Sequence, residues 1–189
     1  MSEYFEDKDF DINDLNKISL LGNEFDNCTF NNIDLSSIDF SDSKFTECKF
    51  LECNLSNSKL YRTSFRDITF MGCKMMGLLF DTINPLLFKV EFDNCNLANS
   101  SFFEIDLTKC KLIGCDLSNV DFSSSDLTQI KFKDCNLFDA TFENTILDKT
   151  DFFNTQNVII NLDKNKVKGA VFNQHNLRGL LQQYDIIMK

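Results

Sequence analysis

A large apolar residue at every fifth position is the feature that most limits what this chain can fold into. The series runs Phe25, Phe30, Leu35, Phe40, Phe45, Phe50, Leu55, Leu60, Phe65, Phe70, Met75, Phe80. After one break it resumes at Leu87 and continues through Phe92, Leu97 and Phe102 to Leu147 and Phe152. Such a period makes no helical stripe, because five residues turn an α-helix by about 500° and successive side chains spiral around it. A short strand suits it better. Side chains alternate along a strand, so the central apolar residue and the residue two before it face inward together. That earlier position holds small or aliphatic residues such as Cys28, Ile33, Ile38, Ser43, Cys48 and Cys53. The residue between the two faces outward, and the last two of the five turn a corner.

Letters also repeat at a lag of twenty: Phe25, Phe45 and Phe65 match, as do Leu97, Leu117 and Leu137. Twenty residues are four sides, so like side chains stack in columns about 4.8 Å apart. The expected fold is all-β, a four-sided solenoid with a packed interior. Across the break the column Leu35, Leu55, Met75 continues as Leu97, Leu117, Leu137 at a shift of twenty-two. The segment 81–86 therefore reads as a corner bulged by two extra residues within one continuous solenoid.

This pattern, over about residues 18–157, resembles the pentapeptide-repeat family. The resemblance implies a right-handed quadrilateral β-helix. The mid-chain phase break and the helical tail make the chain similar to the Qnr quinolone-resistance group. Members of that group dimerise through a C-terminal helix and bind type II DNA topoisomerases. The resemblance thus implies a DNA mimic that binds DNA gyrase or topoisomerase IV and modulates poisoning by quinolones or related toxins. Projecting loops contribute to protection in that group, and a long loop of that kind is absent here. The other reading is a non-catalytic solenoid scaffold that binds another protein and has no topoisomerase activity.

One domain, 1–189, is expected. Residues 1–16 form an N-terminal cap or frayed first coil: Phe5, Phe10 and Leu15 keep the phase, but Lys8 and Asn13 fall on inward positions and six acids crowd the segment. An acidic recognition tail is the alternative there. The β-helix takes 17–157. After Phe152 the period fails, and Val158-Ile159-Ile160 and Gly169–Phe172 read as closing strands within 158–172. Residues 173–189 form a C-terminal helix and tail, with Asn173 placed to cap the helix start. Leu177, Leu180, Leu181 and Tyr184 follow helical spacing, and Ile186, Ile187 and Met188 add an apolar tail. One coil end cannot easily bury all seven, so they are the expected interface of a two-fold homodimer.

All eight cysteines fall on the inward position two before a centre, which suits small hydrophobes rather than zinc ligands or disulfides. The single His175 excludes His-based triads and His metal clusters, and no glycine-rich phosphate loop is present. No catalysis, cofactor or metal is expected. No apolar run reaches membrane-spanning length and no secretory signal is visible, so a cytoplasmic location is expected. Net charge is −10, from 29 acidic and 19 basic residues, and residues 1–163 alone carry −14. An acidic rod repels free nucleic acid and attracts a basic, DNA-binding surface. The candidate partner-binding residues are the corner Asp81, Thr82 and Asn84 and the acidic group Glu104, Asp106, Asp116, Asp121 and Asp126.

Overall fold

A computed structural model describes residues 2–15, 18–184 and 186. Successive coils pair in parallel at the lag of twenty, Phe5 beside Phe25, Phe25 beside Phe45 and Phe45 beside Phe65. Sides one to four are named here by the centres Phe25, Phe30, Leu35 and Phe40. Side two runs through Phe10, Phe30, Phe50, Phe70, Phe92, Leu112 and Phe132. Bridges from Lys131 to Asp151 and from Asp151 to Val171 carry it to Phe172. These nine rungs span about 38 Å, at ~4.8 Å per step. The architecture is the expected right-handed quadrilateral β-helix with one short C-terminal α-helix.

The centres build a core of stacked rings. Phe25–Phe45, Phe30–Phe50 and Phe80–Phe102 stack with centroids 4.8, 4.6 and 4.4 Å apart. Rings on adjacent sides meet edge to face, as Phe45 and Phe50 do at 66°. Both arrangements suit the ring quadrupole and add about 0.5–1.5 kcal/mol per pair beyond burial.

The inward position two before each centre has a second requirement that the sequence reading did not see. Where Cys, Ser or Thr stands there, its side chain in most cases donates to the carbonyl of the preceding side's centre one coil below. Thr63 Oγ1 donates to Phe40 O at 2.8 Å, Thr150 Oγ1 to Leu127 O at 2.8 Å, and Cys115 Sγ to Phe92 O at 3.4 Å. Cys, Ser and Thr recur there because each is small and carries a donor. All eight cysteines are buried and free.

The break departs from the expected phase. Leu87 does not point inward; it takes a left-handed corner with φ 62°, and Phe88 is buried instead. Pairing shifts from Arg66–Lys89 to Ile68–Val90, so three residues are gained before Phe88 and one corner residue is lost after it. The net gain is two, and the strands Ser64–Met71 and Lys89–Asp93 carry the ladder across. Continuity through the corner therefore holds, although the inward residue differs.

Both ends extend further than the sequence pattern implied. Phe5 and Phe10 sit on true rungs, and Lys8 covers the ring of Phe10, 4.5 Å from its centroid, while bridging to Asp14 at 3.2 Å. Helix α1 (Ile12–Leu15) takes the place of the first side three, with Asp11 accepting from the amides of Asn13 and Asp14. At the other end the period does not fail after Phe152. It skips only Asn157, whose φ of 56° turns it outward, and resumes at Leu162, Val167 and Phe172, all packed against the core. The expected closing strands are not strands: Val158 and Ile160 plug the coil, Ile159 faces out, and Val171 makes a single bridge to Asp151.

Asn173 caps the C-terminal helix as expected, its side chain accepting from the Asn176 amide while Asn176 reciprocates. The helix proper, α2, is short (Leu177–Leu181). Gly179 brings it against the coil, since a Cβ there would lie 1.9 Å from Val158 O. Among the described residues no helix is long and apolar enough to cross a membrane.

Candidate partner-binding surface

The outward residue just before each centre determines how the surface is shaped. From Asp34 onward, where Asp or Asn stands there, its side chain accepts the amide two residues on, closing a turn. Asp106, Asp116, Asp121 and Asp126 accept from Thr108, Ser118, Ser123 and Thr128 at 2.8, 3.1, 2.8 and 2.9 Å. Asn84 does the same for Leu86 at 3.0 Å in the displaced corner. These residues are thus turn builders as well as charges. The same hydrogen bonds hold the carboxyls of Asp34 and Asp39 below the usual carboxylate value, with Ser36 and Ser41 as donors.

The fold does not bring all the sequence-proposed acids together. Asp106 and Asp126 are bridge partners on side one. Asp81, Thr82, Glu104 and Asp121 lie on side four, and Asp116 lies on side three, opposite Asp106. Thr82 is occupied locally: its hydroxyl donates to Leu79 O at 2.7 Å and its carbonyl accepts from the Arg62 amide.

Sorting charges by side separates two surfaces over residues 95–174. Sides three and four carry Glu104, Asp116, Asp121, Asp139, Glu143 and Asp163 against Lys164 alone, and Lys164 bridges Glu143 at 2.8 Å. Sides one and two carry Lys109, Lys111, Lys131, Lys133, Lys149, Lys166 and Lys168 against Asp106, Asp126, Asp134, Asp148 and Asp151. The sequence held this signal at the twenty-residue lag, but only the assignment of each residue to a side makes it visible. Below the break three cations are paired one coil down, Lys44–Glu24, Lys59–Asp39 and Arg62–Asp42. Such exposed pairs contribute little stability, about 0–1 kcal/mol each.

At the C-terminal end the expected apolar face is divided. Leu180 is buried in the chain's own core and Leu181 is half-buried, whereas Leu177, Tyr184 and Ile186 are exposed. The close seat provided by Gly179 explains this, since it draws the Leu180 side under the helix. Tyr184 also donates its hydroxyl to Asp163 Oδ2 at 3.0 Å. Ile187 and Met188 lie outside the described residues. Between the helix and the last coils runs a groove of about 1000 Å³, walled by the exposed Phe138, Phe153, Ile159 and Ile186, with His175 and Arg178 along its edge.

The pentapeptide-repeat family model, with eight copies of the repeat, matches residues 38–77, and the model of the pentapeptide-repeat region matches 86–172. The chain belongs to the pentapeptide-repeat family. Its fold is similar to that of trypsin-treated QnrB1, a plasmid-mediated fluoroquinolone resistance protein, at a TM-score of 0.64 and 17% identity over 100% of this chain and 99% of that one. It is similar also to HetL, a pentapeptide-repeat protein involved in heterocyst differentiation regulation from the cyanobacterium Nostoc sp. strain PCC 7120. There the TM-score is 0.61 at 13% identity, over 90% of this chain and 84% of that one. No curated protein sequence matches the chain.

Proposed function

We propose that this chain is a non-catalytic binding protein that engages DNA gyrase or topoisomerase IV through the acidic side of its rod and modulates poisoning by quinolones or related toxins. The observation that carries this reading is the separation of charge around the coil. Over residues 95–174 six acids lie on the two adjacent sides three and four, and the single cation there is already paired. A negatively charged edge offers a DNA-binding surface anions, as a duplex does, and it repels free nucleic acid. The likeness in fold to a fluoroquinolone resistance protein supports the same direction.

Two copies would join at the C-terminal end, burying Leu177, Tyr184 and Ile186 and filling the groove beside Phe138 and Phe153 with the partner's tail. The pair would roughly double the rod. Gyrase supercoiling measured with and without ciprofloxacin tests the proposal: the purified chain is expected to change supercoiling or drug-induced cleavage. No change in either, at concentrations where light scattering shows a dimer, would leave the scaffold reading in its place. Dimerisation is tested with Leu177→Glu and Ile186→Glu, expected to give a folded monomer. Leu180 is unsuitable for that purpose, because a charge there would disrupt the cap itself.

A further inference from the structure

Side four changes character where the break occurs. Along most of its length its outward residues are small or charged. At the level of the break three large apolar side chains stand out from it instead: Tyr61, Leu79 and Phe103 are 57%, 52% and 39% exposed. Their placement follows from the coil. Tyr61 and Asp81 are one rung apart, tied by the Arg62 amide donating to Thr82 O, and Leu79 bridges to Ser101 in the next coil. Phe80 stacks on Phe102 at 4.4 Å directly beneath, so Asp81 and Phe103 are also one rung apart on the outside. The two rings are therefore about 10 Å apart along the rod, with Leu79 beside the acid between them.

The coil's packing does not require Leu79 or Phe103 here, and Tyr61 has one local partner, the Arg62 guanidinium 5.0 Å from its ring centroid. The inward neighbours Leu60, Leu78, Phe80 and Phe102 are already fully packed, and the outward residues support no turn that a Ser would not. Serine occupies the equivalent outward place one coil below Tyr61 and one coil above Phe103, at Ser41 and Ser123. Asp81 lies within the apolar group, and Glu104 and Asp121 border it on the next coils. Among the described residues none of the three acids is in a salt bridge, whereas the nearby Arg62 is held by Asp42 at 2.6 Å.

We infer that this patch is the anchor of an interaction surface whose occupant is a basic protein segment carrying large apolar side chains, such as an amphipathic cationic helix. Aromatic residues set in a charged rim are the arrangement in which a few side chains dominate binding, since the rim excludes water from the anchor. The acidic rim selects the sign of the partner and speeds its approach. The inference rests on the reading of this chain as a binding protein and holds whether or not the partner is a topoisomerase.

The probe is a synthetic amphipathic peptide of lysine and leucine, titrated into isotope-labelled chain and followed by amide chemical shifts. Shifts should centre on Tyr61, Leu79, Asp81, Phe103 and Glu104. The double variant Tyr61→Ser with Phe103→Ser should keep its fold and bind roughly tenfold or more weakly. Asp106→Asn with Asp126→Asn, on side one, should bind as the wild type does. Equal binding by the double variant, shifts centred on the acidic N-terminal coil, or equal binding of a glutamate–leucine peptide would each overturn the inference. Gyrase separates the two proposals. Peptide binding without gyrase binding removes the topoisomerase reading and keeps this surface, while gyrase binding without peptide binding keeps that reading and removes the surface.

Discussion

Side one below the break and side one above it are built on the same rungs and differ in local structure. Below, Glu24–Asp26 and Lys44–Thr46 are strands. Above, the same side is reduced to single bridges at Asp106–Asp126 and Asp126–Ile146 followed by tight turns. Two things change together across the break: the centre goes from Phe to Leu, and the outward residue before it goes from Glu24 and Lys44 to Asp106 and Asp126. Side two separates them. Leu112, preceded by Lys111, is in the strand Lys111–Ile113, whereas Phe152, preceded by Asp151, is followed by a turn in which Asp151 accepts from Phe153 at 2.9 Å. At these two rungs the interior residue does not decide the choice. An Asp or Asn outside gives the backbone a local acceptor that favours the turn, although Lys59, Lys74 and Lys166 are followed by turns without one.

The largest expected effect tests the interior. Phe45 is fully buried and stacks at 4.8 Å on Phe25 and at 5.6 Å on Phe65. Phe45→Ala should cost about 3–5 kcal/mol, and Leu127→Ala above the break should cost less, within the ~2–5 kcal/mol range of Leu truncations. Native-state hydrogen exchange reads each region separately. A larger loss at Leu127 would mean that ring stacking is not what distinguishes the lower coils.

The buried thiols give a pH test common to both regions. Burial pushes Cys48, below the break, and Cys110, above it, up to about 12 from an ordinary value of 9.0. The folded chain therefore holds these protons where the unfolded chain releases them. Stability is fully present below pH 9 and falls between about 9 and 12, by roughly 1.4 kcal/mol per pH unit for each thiol. Denaturant midpoints across that range, with Cys48→Ala and Cys110→Ala as references, check the sign. Alkylation should be slow in the native chain and prompt once it is denatured. A midpoint that rises with pH, or an unchanged slope in both variants, would contradict the burial argument.

Smaller, and aimed at the outward rule, is the exchange Asp126→Lys. It removes the acceptor for the Thr128 amide and should cost about 1 kcal/mol, while Leu127→Phe at the adjacent centre should leave the turn in place. Amide exchange at Thr128 is the measurement. Faster exchange only in Leu127→Phe would reverse the assignment of roles.

Much of this was readable in the letters. The five-residue period and twenty-residue lag carry the coil, its four sides and its inward cysteines, because a solenoid's core repeats whenever the chain returns to the same side. Three things were not readable. Phe88 replaces Leu87 inside because a two-residue gain can be made as three before and one lost after, and spacing alone does not distinguish these. Leu180 shares a helical stripe with Leu177 but not its exposure, because that depends on how closely Gly179 lets the helix sit. The acids from Glu104 to Asp126 are neighbours in sequence yet fall on three sides, since consecutive sides face different ways.

The smallest expected effect concerns the corner itself. Left-handed corners elsewhere in the coil are held by Asn, Asp, Ser, Gly or longer polar residues, and Leu87 is the one apolar side chain among those described with positive φ. At φ 62° its Cβ crowds the following carbonyl, a cost of roughly 1–2 kcal/mol that Asn reduces through local hydrogen bonding and Gly avoids. Leu87 is also 46% exposed, so little packing is lost on replacing it. Leu87→Asn should therefore raise stability by up to about 1 kcal/mol, with the gain confined to the rungs that flank the break. Leu87→Gly should gain less, because glycine adds disorder to the unfolded chain. A loss of stability in Leu87→Asn, with the far coils unchanged, would show that Leu87 is held by contacts outside the coil and that the break is itself part of an interface. A gain would separate the corner's strain from the patch at Tyr61 and Phe103, which the substitution should leave able to bind.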